Sequence, residues 1–140
     1  AAIVTYLGDK FAESGLVPPA ATPLRARYEQ WSYFAVTELE QPLWNMAKHR
    51  FALPEARRVP AMIDCAGWEF TRALKILEKG LQAPYILGEN FSGADILLGQ
   101  TLLWAQAFQL DINAPLVVDY LQRLSARPAL ARALARETAF

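Results

Sequence analysis

Residues 89–100 read ENFSGADILLGQ, in which a serine and, three residues later, an aspartate precede an almost unbroken apolar run. Ser92 suits a helix N-cap, because its hydroxyl can accept a hydrogen bond from the backbone two or three residues on. Asp95 falls at the third helical position, from which its carboxylate can reach back to the Ser92 N–H and complete a capping box. Phe91 and Ile96 occupy the two positions of a hydrophobic staple across this cap. The stretch therefore predicts a tightly defined helix start, and its role is structural rather than chemical.

The helix that follows this cap is predicted to lie at the centre of the molecule, because residues 96–110 are apolar nearly all round. Thr22 caps a helix whose first residue is Pro23, and Pro42, inside that helix, predicts a kink because it cannot donate to the Glu38 carbonyl. The spacing of apolar residues and the positions of proline and glycine predict helices at about 2–12, 23–46, 60–80, 113–127 and from 128 onward. No strand alternation appears, so the fold class is all-α, a helical bundle.

Two glycines are expected to end helices. Gly15 is placed to end the first helix, and Gly80 is placed as the residue just beyond the helix that begins at Pro60. Both expectations rest on the tolerance of glycine for left-handed backbone angles.

The composition limits the function classes. The 140 residues carry 14 basic and 14 acidic side chains, so a formal charge of zero offers no argument for nucleic acid or an anionic membrane as a partner. The apolar share, 54% even without the seven glycines, exceeds the roughly 45–50% typical of soluble domains. This surplus predicts that apolar surface is covered by something outside the core, either a second copy or a further domain. A single cysteine, no recognisable leader and no bilayer-length apolar run predict a cytoplasmic protein.

A search for chemistry finds little. His49 lies near a helix C-terminus beside other cations, where a favourable interaction with the helix dipole is the simpler interpretation. Cys65 falls inside an apolar helical pattern and is expected to be a packed, inert thiol, although a Cys–His nucleophile pair is left open. One histidine and one cysteine far apart make a metal site improbable, so no metal, cofactor or catalytic residue is assigned. Basic residues near the end of the chain resemble a stripe, but aliphatic neighbours favour a solvated helix face: Arg123, Arg127, Arg132 and Arg136.

The aromatic face of the second helix is the richest feature of the sequence. Trp31 and Phe34 share this face, and Glu38 follows one turn later. Such stripes are core more often than ligand sites, but apolar pockets with a few polar groups are where small molecules bind. A stand-alone binder of apolar ligands therefore remains one alternative.

Taken together, several segments resemble one family. NFSGADI is similar to the capping-box and staple segment in the C-terminal helical domain of glutathione transferases. AAIVTYL resembles the last helix of that family's thioredoxin-like N-terminal domain, and VPPAATPLRARYEQWSYF its interdomain linker and first long helix. YILGENFSGADI and YLQRLSARPALARALA resemble the central and closing segments, so the likeness extends over all 140 residues.

The resemblance implies how the chain divides into domains and which functional residues each domain would supply. Residues 1–15 would be a remnant of the thioredoxin-like domain, 16–22 the linker and 23–140 the helical domain. Glutathione, the co-substrate, and the catalytic Ser, Tyr or Cys would belong to the part of the whole protein that precedes this chain. The helical domain would contribute the pocket for a hydrophobic electrophile, with candidates Trp31, Phe34 and Glu38, and a homodimer interface, with candidates Arg27 and Tyr28.

Two functions follow from this resemblance. In the first, the whole protein transfers glutathione to hydrophobic electrophiles or reduces them, and this fragment alone has no activity. In the second, the chain is a non-catalytic interaction module of the same fold that mediates protein assembly.

Overall fold

The computed structural model describes residues 1–138 and is built from α-helices, which confirms the all-α prediction. In this part of the chain no strand forms, and the only β-type pairing is an isolated bridge between Tyr85 and Gly88. The last two residues of the predicted 23–140 domain lie outside the described residues. The α-helices are α1 (Ala2–Lys10), α2 (Pro23–Phe34), α3 (Glu40–Ala47), α4 (Ala61–Gly80), α5 (Gly93–Ala107), α6 (Pro115–Ser125) and α7 (Pro128–Glu137).

Helix α1 packs through small residues on the rest of the chain. Gly8 approaches Val17 so closely that a Cβ at position 8 would lie 2.2 Å from the Val17 side chain. A Cβ at Gly93, the first residue of α5, would lie 2.7 Å from Val4. The Gly93 N–H also donates to the Leu16 carbonyl at 2.8 Å, which ties the connector after α1 to the start of α5. Helix α1 ends at Lys10, earlier than predicted, and Gly15, with left-handed backbone angles, instead ends the short 3₁₀ turn Ala12–Ser14 that follows it.

The second predicted helix is real but interrupted. Thr22 caps it as predicted, accepting from the Arg25 N–H at 3.1 Å. A π-helical turn, Ala35–Leu39, separates α2 from α3, and a second one, Lys48–Ala52, follows α3. The interruption expected at Pro42 therefore occurs just before the proline. It lies in the turn that contains Glu38, whose carbonyl receives no hydrogen bond from Pro42 because proline has no N–H.

Gly80 corrects one prediction. Helix α4 includes Gly80, whose φ is not positive, and the cap is Leu81, with backbone angles of φ −81° and ψ 87°, so Gly80 is not a left-handed terminator. The reason for glycine is space, since a Cβ there would lie 2.3 Å from the indole of Trp31.

Helix α5 is the centre of the fold, as its apolar sequence predicts. It lies against α2, the first π turn, α3 and α6. Its buried side chains include Leu98, Leu102 and Ala105, and the largest buried side chains packed around them include Tyr28, Leu39, Phe70, Leu77 and Tyr120. By contrast, α7 has no buried residue and lies against α6 alone among the helices with substantial contact.

Candidate functional site

The capping residues of α5 form a buried polar network. The capping box is present between Ser92 and Asp95, and both the backbone N–H and the hydroxyl of Ser92 donate to Asp95 Oδ2 at 2.7 Å. The other carboxylate oxygen, Oδ1, accepts from the Ile86 N–H at 2.9 Å and from the Tyr120 hydroxyl at 2.7 Å. Asp95 thus joins the loop before α5 to α6, which the sequence did not reveal.

The acidity of the Tyr120 hydroxyl is changed strongly by its place in this network. Burial, followed by the charge and the hydrogen bond of Asp95, raises the pKa of Tyr120 far above its ordinary value of 10.0. With all of its partners inside the protein and both side chains buried, this network holds the fold together and has no free group for substrate chemistry.

The staple residues border an apolar cleft. Phe91 and Ile96 line a cavity of about 350 Å³ between the connector after α1, α5, α6 and α7. Five leucines contribute to its wall: Leu16, Leu103, Leu121, Leu124 and Leu130. The guanidinium of Arg127 stacks on the Phe91 ring, with its carbon 3.5 Å from the ring centre. Arg127 is therefore a lining and stacking group rather than part of a solvated stripe.

In residues 1–138 the three predicted pocket residues lie on different surfaces. Trp31 and Phe34 contact each other edge to face, with ring centres 5.2 Å apart, and both pack partly buried against the core. Glu38 is exposed in the first π turn and borders a separate groove between that turn, α3 and α4. Trp68 and Arg72 line the same groove from α4.

The two predicted interface residues are separated as well. Arg27 is exposed, as a surface role requires. Tyr28 has 0% of its surface exposed, and its hydroxyl lies 2.9 Å from Thr5 Oγ1 of α1. The structure corrects the placement of Tyr28, because a side chain enclosed in the core cannot offer surface to a partner.

Arg25 is a structural residue that the sequence interpretation missed. Its two terminal nitrogens donate to the two carboxylate oxygens of Asp9 at 2.8 and 2.9 Å, and its Nε donates to Glu29 at 2.8 Å. The hydrogen bond from Arg25 lowers the pKa of Asp9 below 3.8. The four-residue spacing of Arg25 and Glu29 could have predicted their ion pair. Nothing in the sequence indicated that Arg25 would also pair with Asp9 of α1.

The titratable candidates for chemistry do not come together. His49 Nδ1 accepts from the Val59 N–H at 3.1 Å, which fastens the loop after the second π turn. Cys65 is exposed, so the expected packed thiol is wrong: it lies about a third of a turn around α4 from the buried Ala66 and Phe70, outside the face that packs on the core. Within residues 1–138 no group of three metal-binding side chains forms, and no helix is long and apolar enough to cross a bilayer.

Comparison with known proteins places the domain in a family. The sequence model of the glutathione S-transferase C-terminal domain matches residues 46–128. A glutathione transferase from Methylococcus capsulatus is 31% identical, with a TM-score of 0.87, over 99% of this chain and 66% of its own. A theta class glutathione S-transferase from Xanthomonas axonopodis pv. citri, with glutathione bound, is 30% identical (TM-score 0.75) over 94% of this chain and 69% of its own.

A sphingomonad glutathione S-transferase complexed with glutathione is 27% identical, with a TM-score of 0.84, over 98% of this chain and 66% of its own. The chain thus spans just under two thirds of the length of the first of these relatives. No match was found among curated proteins. The family model covers more than half of the chain, and the helical core around the capped α5 is the part that it matches. The chain therefore belongs to the glutathione S-transferase family, to which it contributes a C-terminal helical domain.

Proposed function

We propose that the whole protein transfers glutathione to hydrophobic electrophiles, or reduces them, as a homodimer in which this chain supplies the helical, electrophile-facing domain. The observation that carries this proposal is the 31% identity to a glutathione transferase over 99% of this chain, which spans 66% of that relative. The remaining third of such a relative is where we place the residues that hold glutathione, the co-substrate. No other cofactor is part of the proposal.

The surface of α1 supports a preceding domain. The side that carries Thr5 and Gly8 is packed on the helical domain, whereas four large apolar side chains face outward: Ile3, Tyr6, Leu7 and Phe11. The apolar cleft lined by Phe91 and Leu16 is a second uncovered apolar surface. Apolar surfaces of this extent mark contact sites. We assign both to a thioredoxin-like domain, with residues 1–15 as its last helix, 16–22 as the linker and the helical domain from 23 onward.

The electrophile is proposed to lie against Trp31, Phe34 and Glu38 in the whole protein. Within the described residues these side chains form no common cavity, so a pocket there requires a further wall from the preceding domain. The same domain would stabilise the glutathione thiolate, while the helical domain orients the apolar co-substrate beside it.

The test is the intact mass of the native gene product, compared with the 15.6 kDa of this chain, followed by an assay with glutathione and an aromatic electrophile. A product heavier by one domain, with glutathione-dependent turnover, supports the proposal; the 140-residue chain alone should give none. A native product of 15.6 kDa that co-purifies with a stoichiometric protein partner, and shows no glutathione-dependent turnover, contradicts it. That result favours the interaction module instead.

A further inference from the structure

Positive charge is concentrated in one loop, although the charges of the whole chain sum to zero. Residues 48–59, KHRFALPEARRV, carry four of the 14 basic side chains and one of the 14 acidic ones. With histidine counted as neutral, this loop has a formal charge of +3 and the rest of the chain a charge of −3. Within residues 1–138 none of its four cations forms a salt bridge: Lys48, Arg50, Arg57 and Arg58. We name residues 48–59 the basic loop.

The basic loop is held in one shape by its own hydrogen bonds. The Arg58 guanidinium donates to the carbonyl of Leu53 at 2.8 Å and to that of Phe51 at 3.0 Å. His49 Nδ1 accepts from the Val59 N–H, which joins the two ends of the loop. Because the loop is already ordered, a partner that binds it does not have to fix a flexible segment first, and the entropic cost of binding is reduced.

Large apolar side chains lie exposed among these cations. Phe51 is 60% exposed, Val59 49% and Met62, in the first turn of α4, 38%. The Phe51 ring contacts Phe108 edge to face, with the ring centres 6.3 Å apart. The Arg50 guanidinium carbon lies 5.5 Å from the centre of the same Phe108 ring. Cations and exposed apolar groups therefore share one surface.

The basic loop lies at the end of the fold opposite α1. Helix α5 begins beside α1, since Gly93 packs against Val4. It is 15 residues long and therefore extends for about 22 Å. Phe108, the residue that follows its last turn, contacts Phe51 of the basic loop. A preceding domain on the α1 surface therefore leaves the basic loop uncovered.

This combination of groups matches an anionic bilayer surface. Proteins that bind at a membrane interface use cations to attract acidic headgroups and apolar side chains to enter the headgroup boundary. A nucleic acid strand is held by several stacking rings along a positive groove. The basic loop exposes a single aromatic ring, Phe51, and none of its residues lines the cavities described above. An acidic peptide would pair with the cations but would leave Phe51, Val59 and Met62 in water.

We propose that the basic loop docks the protein on the surface of bilayers that contain acidic phospholipids. Lys48, Arg50 and Arg57 lie over the headgroups, and Phe51 and Val59 enter the boundary between headgroups and acyl chains. The inference goes beyond the proposed function, and it does not depend on glutathione or on turnover.

The first test is cosedimentation of the 140-residue chain with lipid vesicles at low ionic strength. We expect binding to a two-to-one mixture of phosphatidylcholine and phosphatidylglycerol, and little binding to phosphatidylcholine alone. Binding should weaken as salt is added, because exposed charges are then screened. Absence of binding to the anionic vesicles overturns the proposal. Equal binding to both kinds of vesicle also overturns it, since exposed apolar surface alone would then explain the binding.

Substitutions test whether the basic loop makes the contact. Arg57→Gln should lower the partition coefficient by about fivefold, the effect of one charge near an anionic surface. Phe51→Ala should lower it by about tenfold, whereas Phe51→Leu should retain most of the binding. Arg132→Gln on exposed α7 and Phe11→Ala on exposed α1 are the matched controls and should leave binding unchanged. Circular dichroism checks that each variant is folded. Equal losses in the loop variants and the controls overturn the assignment to the basic loop.

A third measurement separates lipid from other polyanions. Polyglutamate and a single-stranded oligonucleotide are each titrated into the chain in the buffer used for the vesicles. The proposal expects both to bind more weakly than the anionic vesicles, and Phe51→Ala to leave that weak binding unchanged. Tighter binding of either polymer than of the vesicles overturns the proposal and identifies a polyanion other than lipid as the partner.

Discussion

The indole of Trp31 lies directly against the backbone of Gly80, and a Cβ placed at position 80 would be 2.3 Å from both Cζ2 and Cη2 of the ring. This contact joins α2 to the last residue of α4. It fixes the position of the aromatic pair Trp31 and Phe34 against the core.

Gly80→Ala should therefore destabilise the domain. The displaced indole costs about 1–3 kcal/mol by overpacking, while alanine recovers up to about 1 kcal/mol of helix propensity, so a net loss is expected. Urea unfolding followed by circular dichroism measures the difference. Gly67→Ala is the control in the same helix, because its Cβ would meet only Met46 Cε at an ordinary 3.8 Å, and it should be neutral or stabilising. Equal effects of the two substitutions would show that crowding by Trp31 is not decisive.

Asp95→Ala should cost far more than the loss of an ordinary helix cap. The substitution removes a buried acceptor from four donors: the N–H and hydroxyl of Ser92, the Ile86 N–H and the Tyr120 hydroxyl. We therefore expect the free energy of unfolding to fall by about 3–5 kcal/mol. Ser92→Ala leaves most of the network intact and should cost only about 1 kcal/mol. Chemical denaturation of both variants makes the comparison. A loss at Asp95 no larger than the loss at Ser92 would contradict the role of the network.

Tyr120 predicts a loss of stability in alkali. Its pKa is raised in the folded state, so in the range above about pH 10 the folded chain holds a proton that the unfolded chain releases. The contribution of Tyr120 is therefore fully present below the unfolded pKa and is lost as the pH rises above it. Unfolding free energies from pH 8 upward should fall more steeply for the wild type than for Tyr120→Phe, and parallel curves would refute the assignment.

Acid should loosen α1 selectively. The pKa of Asp9 is lowered by Arg25, so the stabilising contact is present above the unfolded pKa near 3.8 and is lost as the pH falls through the still lower folded value. Hydrogen exchange should show lower protection factors for α1 below about pH 4, with the α5 amides unchanged. Arg25→Gln should loosen α1 at neutral pH as well, whereas Arg27→Gln, on the exposed side of α2, should not. Uniform exchange across both variants would mean that the Arg25–Asp9 pair does not hold α1.

The features that the sequence predicted well are local ones. The two helix starts were predicted from residues within a single helical turn, Thr22 with Pro23 and Ser92 with Asp95. Both are confirmed. The proline at 42 predicted an interruption within a few residues of where it occurs, because a missing N–H acts on the preceding turn. The capped central helix also supplied the family resemblance, which the comparisons confirm.

The features that the sequence did not predict depend on distant partners. Gly80 was placed as a helix end because glycine often has that role, whereas its neighbour Trp31 lies 49 positions earlier in the chain. Tyr28 was assigned to an interface from its position in the family resemblance, and such a position cannot show that Thr5 of α1 lies against its hydroxyl. Cys65 shares the spacing of the apolar pattern but lies on its edge, and only the packing of α4 settles which side faces outward.

The first π turn has a consequence for the comparison of this chain with its relatives. A π turn contains one more residue than an α turn, so every side chain after Leu39 is rotated by about 100° relative to an uninterrupted helix. A relative that is regularly α-helical here matches this chain only when a one-residue gap is placed inside the helix. Without that gap, Trp31 and Phe34 align correctly while Gln41 and Trp44 are compared with residues of a different face.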